Sequence, residues 1–283
     1  MEVARSLEWF PAPGKLNLFL HVLGRRADGM HELQTVFRLI DHADRVGIGV
    51  RTDGIIRRAE PQADIPAEGD LCLRAAQRLQ SASGSPLGAD LALRKILPVG
   101  GGLGGGSSDA ATVLLVLNRL WRTGYKRSDL MALALELGAD VPLFVFGENA
   151  LGEGIGERLT ALALPPRWYL VLVPPASVST ACVFADKALT RNTKALKIPP
   201  FFCGLGRNDL ETLVARRHPE IAAHLEWLRA RSGEARMTGS GACVFAEFGA
   251  ESEARGVQAE LPGGMRGFVA RGLDRHPLRD WAD

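Results

Sequence analysis

Cysteine is scarce in this 283-residue sequence, and its four occurrences, Cys72, Cys182, Cys203 and Cys243, are scattered. No C-x-x-C and no short Cys/His spacing is present, which excludes the usual zinc patterns and gives no disulfide framework. All four are expected as reduced thiols of a cytosolic protein. An excess of either charge is missing too: 34 basic against 32 acidic residues leave a net +2. That balance gives no electrostatic case for nucleic acid as the main partner. No apolar run approaches the ~20 residues that span a bilayer, and residues 1–13 lack the apolar core of a signal peptide. The expectation is a cytoplasmic protein with neither a nucleic-acid nor a membrane partner. Nothing in the composition bears on oligomeric state.

With 46% hydrophobic and 23% charged residues the chain can bury a core without staples. Its length suggests two domains. Strands and helices interleave, with no internal repeat. Alternation predicts strands at 15–23, 46–51 and 87–97, and helical spacing a helix at 70–79. Residues 109–121 are nearly all Ala, Val and Leu, and predict a helix buried on every side. A helix capped by Ser128 and stopped at Gly138 is expected next, followed by Asp140 and an apolar strand at 141–146. The glycine-spaced stretch 147–156 marks the expected boundary between domains 1–156 and 157–283. In the second half, strands are expected at 169–173, 242–248 and 267–272. Helices are expected at 180–189, 209–217, 219–231 and 251–261, with 191–206 irregular and a second glycine loop at 238–241.

The most informative segment is Pro98, Val99, Gly100, Gly101, Gly102, Leu103, Gly104, Gly105, Gly106, Ser107, Ser108. Glycine permits positive φ and close approach of backbone to a ligand. A run of backbone N–H groups opening a helix is an anion site, to which Ser107 and Ser108 add hydroxyls. A flexible linker is the bland alternative, but linkers do not normally run into a buried helix. The loop is not a Walker A, because no Lys-Ser or Lys-Thr closes it. Gly100, Gly102 and Gly105 fit G-x-G-x-x-G, so a Rossmann dehydrogenase stands as a rival, as does a catalytically silent nucleotide-binding module. The Rossmann unit, however, would need a strand ending in an acidic residue after the helix, where another helix is expected. The motifs of a protein kinase are absent.

Residues 98–111, PVGGGLGGGSSDAA, resemble the phosphate loop of the GHMP kinases (galactose, homoserine, mevalonate and phosphomevalonate kinases). The stretches GKLNLFL from Gly14, RADGMH from Arg26, LGADVP from Leu137, YLV from Tyr169 and TGSGACVF from Thr238 resemble further signatures of one branch, the 4-diphosphocytidyl-2-C-methyl-D-erythritol kinases. The resemblance runs from about residue 11 to 278. It implies a two-domain α/β (α+β) fold, with an N-terminal ribosomal-protein-S5-like domain and a C-terminal ferredoxin-like domain. It implies transfer of the ATP γ-phosphate to the substrate 2-hydroxyl in non-mevalonate isoprenoid biosynthesis, with Mg2+ accompanying ATP. Homoserine or mevalonate is the alternative small alcohol. Lys15 and Asp140 fall on the catalytic positions; Asn17, Met30, His31, Thr180 and Phe184 on the cytidine half of the substrate site; the 98–108 loop on ATP. Ser107 is a candidate metal ligand only. Gly14, Asp70 and Met30 stand where the branch commonly has alanine, asparagine and tyrosine.

Overall fold

The computed structural model describes residues 7–60, 69–197 and 206–282. Cys203, with the rest of 198–205 in the irregular stretch expected at 191–206, lies outside the described residues. Two long strands, β1 (Glu8–Arg25) and β2 (His31–Arg51), form the spine of the first half. They pair antiparallel from Glu8↔Ile48 to Arg25↔His31, with register shifts at Pro13/Gly14, Asn17/Phe19 and Val22/Gly24. β1 carries Pro11 and Pro13, which lack the N–H a central strand must donate, and among the described strands β2 is its one ladder partner. The strand expected at 46–51 is the end of a much longer one in the structure.

Next come β3 (Ile56–Arg58), α1 (Leu71–Ser83), β4 (Gly88–Arg94), α2 (Gly105–Leu120), α3 (Arg127–Leu137), α4 (Val141–Phe146), β5 (Ala150–Gly154) and β6 (Arg158–Ala161). The first sheet runs β3-β4-β2-β5-β6, with β1 on β2. Asp70 caps α1, its carboxylate accepting from the backbone of Cys72 and Leu73. α2 is buried at every position from Ser108 to Asn118, as its uniformly apolar sequence requires. Each fully buried leucine there contributes roughly 1.5–3 kcal/mol by leaving water.

Three expectations fail here. Ser128 is not the cap of α3: the cap is Lys126, two residues earlier, and Asp129 reaches back to the Lys126 N–H at 3.0 Å. Residues 141–146 form a helix rather than a strand. Five of the six are buried, so the run carries no period to read. Pro142 presets helical φ, and Gly147 at φ 75° ends the single turn by bonding Leu143 O. Finally, Gly156 lies in the turn of the β5–β6 hairpin, so the first sheet continues to Ala161. We propose the division between domains in the connection 162–167.

The second half contains β7 (Trp168–Leu172), α5 (Thr180–Ala185), α6 (Glu211–Arg217), α7 (Pro219–Ser232), β8 (Arg236–Met237), β9 (Val244–Phe248), α8 (Glu251–Ala259) and β10 (Gly267–Arg271). Its antiparallel sheet has the order β10-β7-β9-β8, a ferredoxin-like arrangement. The chain then returns to the first domain. Leu278 and Ala282 join its core, Trp281 meets Phe10 edge to face at 5.3 Å, and Arg127 donates to Arg279 O at 2.6 Å. No described helix is long and apolar enough to cross a membrane.

Candidate active site

A cavity of about 750 Å3 lies between the two halves, walled by β1, β2, the 100–107 loop, Asp140, α5 and the 239–241 loop. Strand alternation supplies one wall: His31, Leu33, Thr35 and Phe37 of β2 all line it. Lys15 and Asn17 do the same from β1.

Lys15 is 2% exposed, and its backbone N–H donates to Leu103 O at 2.9 Å, tying β1 to the glycine loop. Its ammonium donates to Asn17 Oδ1 at 2.5 Å and lies 3.6 Å from Asp140 Oδ2. Asn17 Nδ2 in turn donates to Thr35 Oγ1 at 2.9 Å, and Thr35 to Phe19 O at 2.5 Å. The Asn17 side chain is thus committed on both sides and anchors Lys15. It pairs with Phe37, whereas His31 pairs with Arg25, so a long stretch of ladder separates Asn17 from the end that carries His31. Asn17 lines the same cavity as His31, at its lysine end.

Of the loop residues expected at ATP, Gly100, Gly102, Gly104 and Ser107 line the cavity. The others do not: Leu103 is core, Ser108 is buried, and Val99 points to solvent at 84% exposure. Gly101 backs onto Cys243, where a Cβ would meet Sγ at 2.7 Å; Gly105 backs onto Lys95 and Asp44. Pro98 and Gly106 are not among the residues that line the cavity. Gly104 caps α2 at φ 71°, so the first N–H groups of that helix have no partner within it. The second glycine loop docks on the first. Ala242 N donates to Gly100 O at 3.2 Å, Cys243 N to Gly101 O at 3.1 Å and Thr238 Oγ1 to Gly102 O at 3.3 Å. A Cβ at Gly102 would sit 2.2 Å from Thr238 O.

Beneath the start of α2, Lys95 joins Asp44 and Asp109. Burial, with Asp44 alongside, pushes Asp109 up to about 7 against the opposing pull of Lys95. Burial depresses Lys95, but the two carboxylates outweigh it and leave it raised. Asp70, at the cap of α1, also pairs with Arg58.

At the other end of the cavity are Met30, half exposed at 47%, His31 and Phe184. The His31 ring lies 4.9 Å from that of Phe184 with a 33° tilt. Burial lowers the His31 pKa, and Arg191 and Arg25 lower it further. Thr180 Oγ1 and Ser240 Oγ share a hydrogen bond of 2.6 Å that ties α5 to the 239–241 loop within the second half. Sequence reasoning missed Thr35, Phe37, Arg25 and Arg191. The period-two pattern His31, Leu33, Thr35, Phe37 could have found the first two. Arg191, in an irregular stretch, carries no such signal.

The described residues contain no group of three or more His, Cys, Asp or Glu that could hold a metal ion. Ser107 and Asp140 both contribute side-chain oxygens to the cavity wall.

Comparison with known proteins agrees with this geometry. Residues 70–148 match the GHMP kinases N terminal domain and 201–266 the GHMP kinases C terminal. The 4-diphosphocytidyl-2-C-methyl-D-erythritol kinase of Nitrosospira multiformis is 62% identical over 275 residues, 96% of this chain and 94% of that protein. A crystal structure of 4-(cytidine 5'-diphospho)-2C-methyl-D-erythritol kinase superposes with a TM-score of 0.79 at 34% identity, covering 94% of this chain and 99% of the other. Homoserine kinase from Cytophaga hutchinsonii shares the fold alone, at TM-score 0.66 and 15% identity over 98% and 97% of the two chains. Matched in both halves and aligned almost end to end, the chain belongs to the GHMP kinase family, small-molecule phosphotransferases that use ATP as phosphate donor.

Proposed function

We propose that this enzyme transfers the γ-phosphate of ATP to the 2-hydroxyl of 4-diphosphocytidyl-2-C-methyl-D-erythritol, a step of non-mevalonate isoprenoid synthesis in the cytoplasm. The observation that carries the reading is the Lys15–Asp140 pair at 3.6 Å, set in one cavity between the glycine loop and the His31–Phe184 pair. Relatives at 62% and 59% identity bear the name of this kinase.

ATP phosphates lie on the backbone of Gly100, Gly102 and Gly104 and at the N-terminus of α2, where N–H groups and the helix dipole favour negative charge. Asp140 orients the substrate hydroxyl and accepts its proton as the oxygen attacks the γ-phosphorus. The bond to the β-γ bridging oxygen breaks and ADP leaves. Lys15, held by Asn17, keeps a positive charge against the equatorial oxygens as the transition state forms. Positioning and charge stabilisation of this kind supply most of phosphoryl-transfer catalysis. Mg2+ fits a wall of oxygen donors: Ser107 would hold it beside the phosphates, where it would neutralise charge on them. Met30, His31, Thr180 and Phe184 serve the cytidine half.

The test is a coupled ADP-release assay on a panel of alcohols. Turnover with the cytidyl alcohol and none with homoserine or mevalonate is expected; preference for either of the latter overturns the substrate assignment.

A further inference from the structure

Arg191 lies after α5 in a stretch without helix or strand, yet its guanidinium is fully directed. Nε donates to His31 Nε2 at 2.9 Å. One terminal nitrogen donates to Phe184 O at 2.8 Å and Asp186 O at 2.7 Å, the other to Leu189 O at 3.1 Å. One side chain therefore holds both the imidazole and the last turn of the helix whose Phe184 ring lies against that imidazole.

The chemistry of this contact is restrictive. Guanidinium is always protonated and can only donate. A His nitrogen that accepts from it cannot carry a hydrogen, which excludes the imidazolium and the Nε2–H tautomer. What remains is the neutral ring with its single proton on Nδ1. The two nearby guanidiniums, Arg191 and Arg25, oppose a second proton, in the same direction as burial. His31 belongs to the cavity wall, so the ring offers the ligand a donor and no acceptor.

We infer that Arg191 is a positioning residue that locks His31 as a neutral Nδ1–H donor and so biases the cavity toward a pyrimidine that presents a ring acceptor. This rests on the functional reading above, which brings a cytidyl group to His31. Cytosine has an unprotonated ring nitrogen at the position where uracil carries N–H. A fixed donor facing N–H leaves two donors unpaired in a partly dry site, which is costly.

Two readouts test the inference. In the free enzyme, 15N spectra of the imidazole, assigned by loss of the signals in His31→Gln, should show an N–H at Nδ1 and a bare nitrogen at Nε2 near pH 7. A proton on Nε2, or on both nitrogens, overturns the proposal whatever the substrate is. In Arg191→Leu the two tautomers should mix. KM for the cytidyl alcohol should rise about tenfold, the scale of one lost directed hydrogen bond, with kcat within about twofold. Preference over the uridyl analogue should shrink in step. Arg191→Lys, which keeps the charge without the fork, should recover part of the loss and decides the matter if Arg191→Leu does not fold. Unchanged spectra and KM, or a fall in kcat alone, overturn the role. If the wild-type enzyme ignores the cytidyl alcohol, the substrate reading fails while the 15N result still judges Arg191.

Discussion

Lys15 Nζ and Asp140 Oδ2 face each other at 3.6 Å although they arrive from a buried strand and from the cap of a single-turn helix. Asp140→Asn and Lys15→Ala should each lower kcat by at least about 100-fold, the lower range for general-base and charge-stabilising groups. ATP affinity should persist, because the cradle is mainly backbone. Near-wild-type turnover in Asp140→Asn would remove that residue from the chemistry.

Asn17 separates two roles that one side chain could play. Removing its carbonyl frees the Lys15 ammonium from a charge-assisted hydrogen bond of about 1.5–3 kcal/mol. Asn17→Ala should therefore lower kcat about 10- to 100-fold with little change in KM for the cytidyl alcohol. A rise in KM with kcat intact would return Asn17 to base recognition.

Gly102 and Gly104 should differ. Alanine at Gly102 collides with the Thr238 carbonyl at 2.2 Å, so it should push the two glycine loops apart and weaken both ligands. At Gly104 the Cβ would meet the Phe144 ring at 3.0 Å and Lys15 Cε at 3.2 Å. Gly104→Ala should then act mainly on kcat through a displaced lysine. Calorimetric titration of both variants with ATP and with the cytidyl alcohol distinguishes the patterns, and equal effects of the two would count against this division.

Phe184 and Met30 test the base end. An aromatic contact adds about 0.5–1.5 kcal/mol beyond burial, and methionine lacks a rigid flat face. Met30→Tyr should tighten the cytidyl alcohol a few-fold and Phe184→Ala should weaken it, both with ATP affinity unchanged. If neither shifts affinity, the base does not lie between them.

His276 sets an acid limit on stability. Burial first, and Arg127 second, lower its pKa to about 3, while an exposed histidine titrates near 6.5. Below that value the unfolded chain takes a proton that the folded protein refuses, so stability falls as pH drops from about 6.5 toward 3. His276 N–H donates to Gly147 O and its Nδ1 accepts from Leu278 N, holding the C-terminal return. Asn in its place keeps an acceptor without titrating. Denaturant midpoints at pH 7 and pH 4.5 should therefore diverge less in His276→Asn than in wild type; equal divergence would place the acid sensitivity elsewhere.

Much of this protein is legible in its sequence, because some signals are local. Glycine at 100, 102 and 104 is demanded by positive φ at each position. The uniformly apolar 109–121 segment has no polar face to leave in water, so its burial follows from composition. The alternation along β1 and β2 fixes which residues share a face. The signatures carrying Lys15 and Asp140 identified the family before their side chains could be placed. Tertiary structure alone decided the rest. Residues 141–146 are apolar throughout, and only their surroundings choose helix over strand. Asn17 and Lys15 share a strand face two residues apart, but only the fold brings Thr35 to the other side of the Asn17 amide. Arg191 is one arginine in an irregular stretch, and only the packing of α5 against β2 brings its guanidinium to His31. A directed contact between residues far apart in the chain depends on the whole backbone path between them, and local sequence pattern does not encode that path.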